Sequence, residues 1–228
     1  GASLMDDKNN GSGFEGHLAT LPNKFSLYNI DMSHSQTKPY ADRYHDQVQA
    51  MYATLQLGWN GMLYLDVTAR NEWASQLAGT PDVNIFYPSV GLSAVISSMT
   101  DLSAAGISFL KVRGSYAEVG NAPQRFITGV NIPLATGGVI SSSTYAPAVN
   151  LTPERTKSFE VGLNAKFLGN KIWLDATYYN TNTYNQLFEY DAPPSTGYKK
   201  AYINAGKINN WGIEAVVGYK NRWEEFAW

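Results

Sequence analysis

Leu63-Tyr64-Leu65-Asp66-Val67-Thr68-Ala69-Arg70-Asn71-Glu72-Trp73 alternates apolar and polar residues before it breaks into a polar connection. Successive side chains of a β-strand point to opposite faces. Leu63, Leu65, Val67 and Ala69 therefore share one face, and Tyr64, Asp66, Thr68 and Arg70 share the other. One face is oily and the other wet and charged. A soluble sheet can contain one such strand; here the pattern recurs along most of the chain, which predicts the wall of a membrane β-barrel.

On the N-terminal side, residues 47–59 set Met51, Ala53, Leu55, Leu57 and Trp59 against Thr54 and Gln56. Asn60-Gly61 then supplies the two-residue signal of a type I′ hairpin turn. On the C-terminal side, strands are expected at about 84–98, 108–119, 155–167, 171–188 and 201–220. In the fourth strand Leu110, Val112, Gly114 and Tyr116 oppose Lys111, Arg113 and Ser115; in the fifth Phe159, Val161, Leu163, Ala165 and Phe167 oppose Glu160, Gly162, Asn164 and Lys166. Pro88 removes a ladder donor, so it belongs near the start of its strand. Short connections (59–61, 99–107, 168–171) alternate with long ones (73–83, 120–154, 189–200). The expected fold is all-β: an open antiparallel up-and-down meander supplying about seven or eight strands of a large transmembrane barrel. Residues 1–45 read as an irregular extracellular loop region with a short strand near Phe25–Ile30, and 46–228 as the partial barrel.

Composition supports this reading without deciding it. Charged residues make up 16% of the chain, against about 25% in soluble proteins. Aromatics make up 13%, including 15 Tyr and 6 Trp, which suits interfacial girdles. A Tyr-rich, carbohydrate-binding soluble β-sandwich has a similar profile and is the alternative. In the barrel, Leu63, Leu65, Val67, Phe159, Leu163 and Phe167 face lipid; in the sandwich they meet in a shared core. The net charge of -2 gives no basic surface for nucleic acid. With Cys absent, disulfides and thiolate metal sites are excluded. No apolar run approaches the ~18 residues of a membrane helix. The N-terminus lacks the features of a signal peptide and the end, Trp223-Glu224-Glu225-Phe226-Ala227-Trp228, stops without a turn, so a piece of a longer protein is expected.

Catalytic chemistry finds no foothold. His17, His34 and His45 have no metal-ligand spacing. Asp6-Asp7-Lys8-Asn9-Asn10-Gly11 departs from a calcium loop at Lys8. Gly91-Leu92-Ser93-Ala94-Val95 lacks the second glycine of a nucleophile elbow. Glu224-Glu225 reads as a solvated end. The expectation is therefore no enzyme, no cofactor and no metal. Candidate lumen-lining residues are Asp66, Arg70, Lys111 and Arg113, joined on the polar faces by Glu160, Lys166, Asp175 and Glu214. Candidate loop aromatics for gripping a sugar or a partner are Trp73, Tyr145, Tyr184, Tyr190 and Tyr198, although packing within loops is the commoner role of any one of them.

Several motifs carry a family likeness. Leu63 to Ser75, Phe86-Tyr87-Pro88-Ser89-Val90-Gly91-Leu92-Ser93 and Lys111-Val112-Arg113-Gly114-Ser115-Tyr116-Ala117-Glu118-Val119-Gly120-Asn121 resemble the barrel of the SusC/RagA family of TonB-linked outer-membrane transporters. Leu151 to Gly162, and Asn204-Ala205-Gly206 followed by Gly212-Ile213-Glu214, resemble TonB-dependent receptors in general. The likeness covers about residues 45–220. It implies a barrel of about 22 strands around a plug, of which this chain supplies about a third. It also implies a SusD-like surface lipoprotein partner, glycan or peptide cargo, and a TonB complex reached through parts that this chain lacks. The family motifs are strand and turn determinants, so no catalytic residue carries over.

Overall fold

The computed structural model describes residues 1–129, 134–135, 139–140, 143–148, 150–223 and 226–227; Glu224 and Glu225 lie outside the described residues. The strands are β1 (Ala2–Glu15), β2 (Lys38–Trp59), β3 (Leu63–Ala74), β4 (Ile85–Val95), β5 (Ile107–Asn121), β6 (Leu134–Ala135), β7 (Val139–Ile140), β8 (Glu154–Phe167), β9 (Ile172–Tyr184), β10 (Leu187–Asp191), β11 (Lys200–Asn204), β12 (Lys207–Tyr219), β13 (Arg222–Trp223) and β14 (Phe226–Ala227). Eight of them form one antiparallel sheet in the order β1-β2-β3-β4-β5-β8-β9-β12. The strands of this sheet pair in chain order, with β6–β7 and β10–β11 lying in the connections, and β1 does not meet β12, so the meander is open. The other six pair off as β6–β7, β10–β11 and β13–β14.

The expected turn at Asn60-Gly61 has φ of 50° and 66°, the two positive values that a type I′ hairpin requires. Pro88 pairs with Ala69 on the β3 side, while the ladder to β5 begins only at Ser89–Ala117. A residue without an N–H sits where one ladder stops.

Three sequence expectations are corrected. Residues 1–45 are not an irregular loop region: β1 runs from Ala2 to Glu15, fully paired to β2 from Met51 back to Lys38. Asp6 to Gly13 lacks two-residue periodicity because this ribbon has water on both faces, so no hydrophobic pattern marks it. Near Phe25–Ile30 there is one turn of 3-10 helix at Leu27–Asn29, with an isolated bridge from Leu18 to Ile30. Finally, the expected strands 171–188 and 201–220 each divide in two. Asn185 adopts a left-handed φ of 56°, which ends β9 and starts the separate β10–β11 hairpin.

Register places the two faces. One lateral row on the apolar face reads Leu55–Val67–Val90–Tyr116–Phe159. Another reads Leu57–Leu65–Leu92–Gly114–Val161–Tyr178–Ile213. These rows stay open rather than buried against a second layer: Leu57 is 53% exposed, Phe159 48% and Ile213 72%. A sandwich would bury these side chains against a second sheet, and that alternative is overturned.

The apolar stretches of β2 (Met51 to Trp59), β8 (Phe159 to Phe167) and β12 (Trp211 to Tyr219) have equal length and carry an aromatic residue at one or both ends. Each covers about 26 Å along the strand. Their upper limit is inclined. It lies at Met51 on β2 but at Phe159 on β8, which stands in the row of Leu55. Trp211, at the upper end of the β12 stretch, stands in that same row. Each stretch, about 26 Å along its strand, is long enough to cross the ~25 Å lipid-facing band of an outer-membrane barrel.

Candidate functional site

The opposite face is the polar one, and it gathers the lumen candidates. Asp66 stands beside Gly91, which stands beside Ser115 and then Glu160. Arg113 stands beside Ser93 and Gly162, and Lys111 beside Asn164. Three of the four candidates, Asp66, Lys111 and Arg113, line one open cavity of about 230 Å3 together with Glu160 and the glycines 91, 114 and 162. Gly91 and Gly162 open the hollow, since each removes a side chain from the polar face, whereas Gly114 belongs to the apolar row of Leu92 and Val161.

Arg113 does more than line it. Its Nη2 donates to Asp175 Oδ1 at 3.0 Å and to Thr177 Oγ1 at 2.7 Å, two strands away. It reaches them by lying across Gly162, where an added Cβ would sit 2.4 Å from the Arg113 Nε. Asn164 Nδ2 donates to the other Asp175 oxygen at 3.0 Å. Thus β5, β8 and β9 are tied on the polar face by one guanidinium, one carboxylate and one carboxamide.

Arg70, the fourth candidate, is not part of this cavity. Its Nε and Nη2 donate to Glu72 Oε2 at 3.0 and 2.8 Å. Between these clusters the polar face carries paired hydroxyls: Thr68 with Ser89 at 3.0 Å, Thr156 with Thr183 at 3.0 Å and Ser158 with Thr181 at 3.1 Å. This surface exchanges hydrogen bonds readily and commits to no single protonation chemistry.

Toward the loop end the polar face changes character. Ala74, Leu77 and Ile85 form a small buried core, with Val48, Tyr87 and Ala122 against it. It holds the connection between β3 and β4 folded inward. Beside it, Arg125 from the long β5–β8 connection pairs with Asp46 at 3.1 Å and stacks on the Tyr44 ring at 3.6 Å. Asp46 directly opposes Asp7 across the β1–β2 ladder, so Arg125 neutralises a like-charged pair that would otherwise repel. The Tyr44 contact, followed by these two carboxylates, holds the guanidinium charge more firmly than usual.

The same connection is anchored on its other side. The Tyr145 ring stacks on Tyr202 of β11 at 5.3 Å and 10°. The Tyr145 hydroxyl donates to Glu189 of β10 at 3.0 Å, and Lys200 of β11 is ion-paired with the same carboxylate. Lys200, then Tyr145, holds the Glu189 carboxyl below its ordinary pKa, while Glu189 raises that of Lys200. Burial pushes the Tyr202 hydroxyl up. Asn204 closes the arrangement, accepting from Thr152 N at 2.8 Å and donating to Thr152 O at 2.9 Å.

The aromatic expectations divide. Tyr145 and Tyr198 lie in connections, Tyr145 engaged as above. Trp73 is not a loop residue: it belongs to β3, opposite Gln49, on the apolar face at its upper margin. Alternation carried the strand one pair further than the break into polar sequence suggested. Tyr184 and Tyr190 likewise lie in β9 and β10. The Tyr202, Glu189 and Arg125 contacts were not legible, because each joins segments far apart in sequence. The fold also brings His17 and His34 together, ring centroids 4.1 Å apart, and sets His45 against Asp6.

Comparison with known proteins gives a consistent result. The family described as TonB dependent receptor-like, beta-barrel, matches residues 7–228. TonB-dependent receptor P26 of Formosa agariphila is 26% identical over 196 residues, which are 80% of this chain and 19% of that protein. TonB-dependent receptor P3 of the same organism is 22% identical over 239 residues, covering 100% of this chain and 24% of its own length. The RagAB peptide transporter structure superposes with a TM-score of 0.79 at 17% identity, over 98% of this chain and 26% of that one. The chain thus spans about a quarter or less of the length of these two Formosa agariphila relatives.

Proposed function

This chain belongs to the TonB-dependent receptor β-barrel family, and from that premise we propose that it forms part of the wall of an outer-membrane importer for oligosaccharides or peptides, working with a SusD-like surface lipoprotein. The family is one of transporters and receptors of the outer membrane rather than a class of enzymes. The observation that carries the proposal is the pairing of two opposite surfaces on one open sheet. An unpartnered apolar face backs directly onto a polar face rich in hydroxyls and opposed charges.

In this reading the loop end is extracellular and the short turns are periplasmic. The apolar face meets acyl chains. The polar face, with Asp66, Lys111, Arg113 and Glu160, borders the conduit and the plug that fills it. Transport is non-covalent: cargo binds at the outer mouth, TonB acts on the plug through parts beyond this chain, and cargo moves along the polar wall. The long connections 16–37, 75–84, 122–153 and 185–206 face the partner and the cargo, with Tyr145 and Tyr198 among them. The structural likeness to a peptide transporter supports peptide cargo as much as glycan.

The test uses the full-length protein in cells. Uptake of labelled oligosaccharide or peptide should be lost when TonB is deleted, and the lipoprotein should co-purify with the transporter. Uptake that persists at the same rate without TonB would end the importer reading.

A further inference from the structure

The upper margin of the apolar face is not uniform, and its charged part carries an inference that concerns lipid rather than cargo. Along most of this margin the first polar residues are neutral: Gln49 on β2, Asn71 on β3, and Asn180 and Asn182 on β9. On β5 the first polar residue is Glu118 and on β8 it is cationic, while on β12 the neutral Asn209 stands between Trp211 and the cationic Lys207. Lys157 follows Phe159 on the same face, Arg155 follows Lys157, and Lys207 stands one strand beyond Tyr184, the lateral partner of Arg155.

The contacts confirm that these groups share one face. Lys157 Nζ lies 3.2 Å and Arg155 Nη1 3.9 Å from Glu118, while Lys207 Nζ sits over the Tyr184 ring at 5.2 Å. Tyr116, in the row of Phe159, donates to Glu118 at 2.5 Å. Glu118 therefore accepts from Tyr116 while facing two cations, and Lys207 lies over an aromatic ring and is ion-paired with no carboxylate among the described residues. The cluster is three cations against one carboxylate. Glu118 and Lys157 lie immediately above the aromatic residues Tyr116 and Phe159, and Lys207 lies two same-face positions above Trp211, at the level where girdle side chains meet headgroups.

We propose that Arg155, Lys157 and Lys207 form a binding site for the phosphorylated headgroup of an anionic lipid in the outer leaflet. Two arguments fix that occupant. The site is continuous with the acyl-chain surface, so a bound molecule must present a phosphate directly above hydrocarbon, as a lipid does. The charge is complementary, since three cations against one carboxylate leave net positive charge for a phosphate that accepts from Lys and Arg donors. The lipid would hold β5, β8, β9 and β12 together from outside, where Arg113 and Asp175 tie three of them from within. The inference rests on the membrane orientation of the sheet and not on the identity of the cargo.

The test uses the full-length transporter in phosphatidylcholine nanodiscs, titrated with diphosphorylated lipid A and followed by native mass spectrometry and thermal unfolding. Lipid A is expected to remain bound and to raise the melting temperature. Retention should fall about tenfold or more in the Lys157→Gln/Lys207→Gln variant, and dephosphorylated lipid A should be retained as weakly by the wild type as diphosphorylated lipid A is by the variant. Should the double variant fail to assemble, Lys207→Gln alone, whose described contact is with an aromatic ring, should still weaken retention. Equal retention by wild type and variant, or by phosphorylated and dephosphorylated lipid, overturns the proposal. Displacement of lipid A by inorganic phosphate at equal concentration also overturns it, because the site would then recognise free phosphate.

Discussion

Ile213 and Ile85 are the same residue in the same fold, yet Ile213 is 72% exposed and Ile85 has no exposed surface at all. Ile213 lies in the lateral row of Leu57, Val161 and Tyr178 on the apolar face of the wall; Ile85 lies at the loop end on the polar face, packed with Ala74 and Leu77. The wall meets an apolar solvent, so its side chains need no protein partner. The mouth stands in water, and its few apolar side chains must find one another. Hydrophobicity therefore sets orientation in the wall and cohesion at the mouth, and substitutions in the two regions should fail in different ways.

The largest difference is expected from charge in mid-wall. Leu163→Arg lies near the centre of the β8 apolar stretch and should cost about 2–4 kcal/mol of membrane-embedded stability. Ser115→Arg on the polar face should leave assembly close to wild type. Folded fraction in vesicles, read by heat-modifiable migration, checks both; equal tolerance would mean that the faces are misassigned.

At the mouth, Leu77→Ala should cost about 2–3 kcal/mol locally through cavity formation. The effect should appear as faster hydrogen exchange and proteolysis in residues 75–84, with the wall unaffected. A global loss of barrel stability would show that wall and mouth are one cooperative unit.

A smaller effect is expected at Gly162. Gly162→Ala puts a Cβ against the Arg113 side chain and should break its reach to Asp175, costing about 1 kcal/mol. If that contact is the cause, Gly162→Ala adds little to Asp175→Asn in a double-mutant cycle.

Finally, the Glu189 carboxyl is held below its ordinary pKa of 4.5 by Lys200 and Tyr145. A depressed carboxyl stabilises the folded form at pH above the ordinary value, and that contribution disappears as pH falls through the depressed one. Amide exchange in residues 187–204 should therefore accelerate below about pH 4.5, and Lys200→Gln should weaken the dependence. An unchanged pH profile in that variant would detach the ion pair from the docking of the long connection.

How much of this was legible follows from what surrounds each segment. The faces of β3, β4, β5 and β8 could be read because lipid on one side and water on the other impose a period of two. β1 could not be read, since Asp6 to Gly13 has water on both sides. Asp66, Lys111 and Arg113 could be assigned to one face by parity, but their sharing of a cavity with Glu160 depends on register across β3, β4, β5 and β8. Trp73 was assigned to a loop because a girdle aromatic and a loop aromatic look alike when the strand end is not visible.

The sequence by itself determined that most of these strands carry one oily and one wet side, because alternation is a local property that each strand carries without its neighbours; that the oily side meets no second sheet was decided by the structure. Only the tertiary structure decided which residues stand side by side: Arg113 over Gly162 reaching Asp175, Arg125 against Asp46, Tyr145 on Tyr202, and the cations beside Glu118. Those contacts join residues far apart along the chain. They depend on lateral register and on where long connections fold back, and period-two alternation encodes neither.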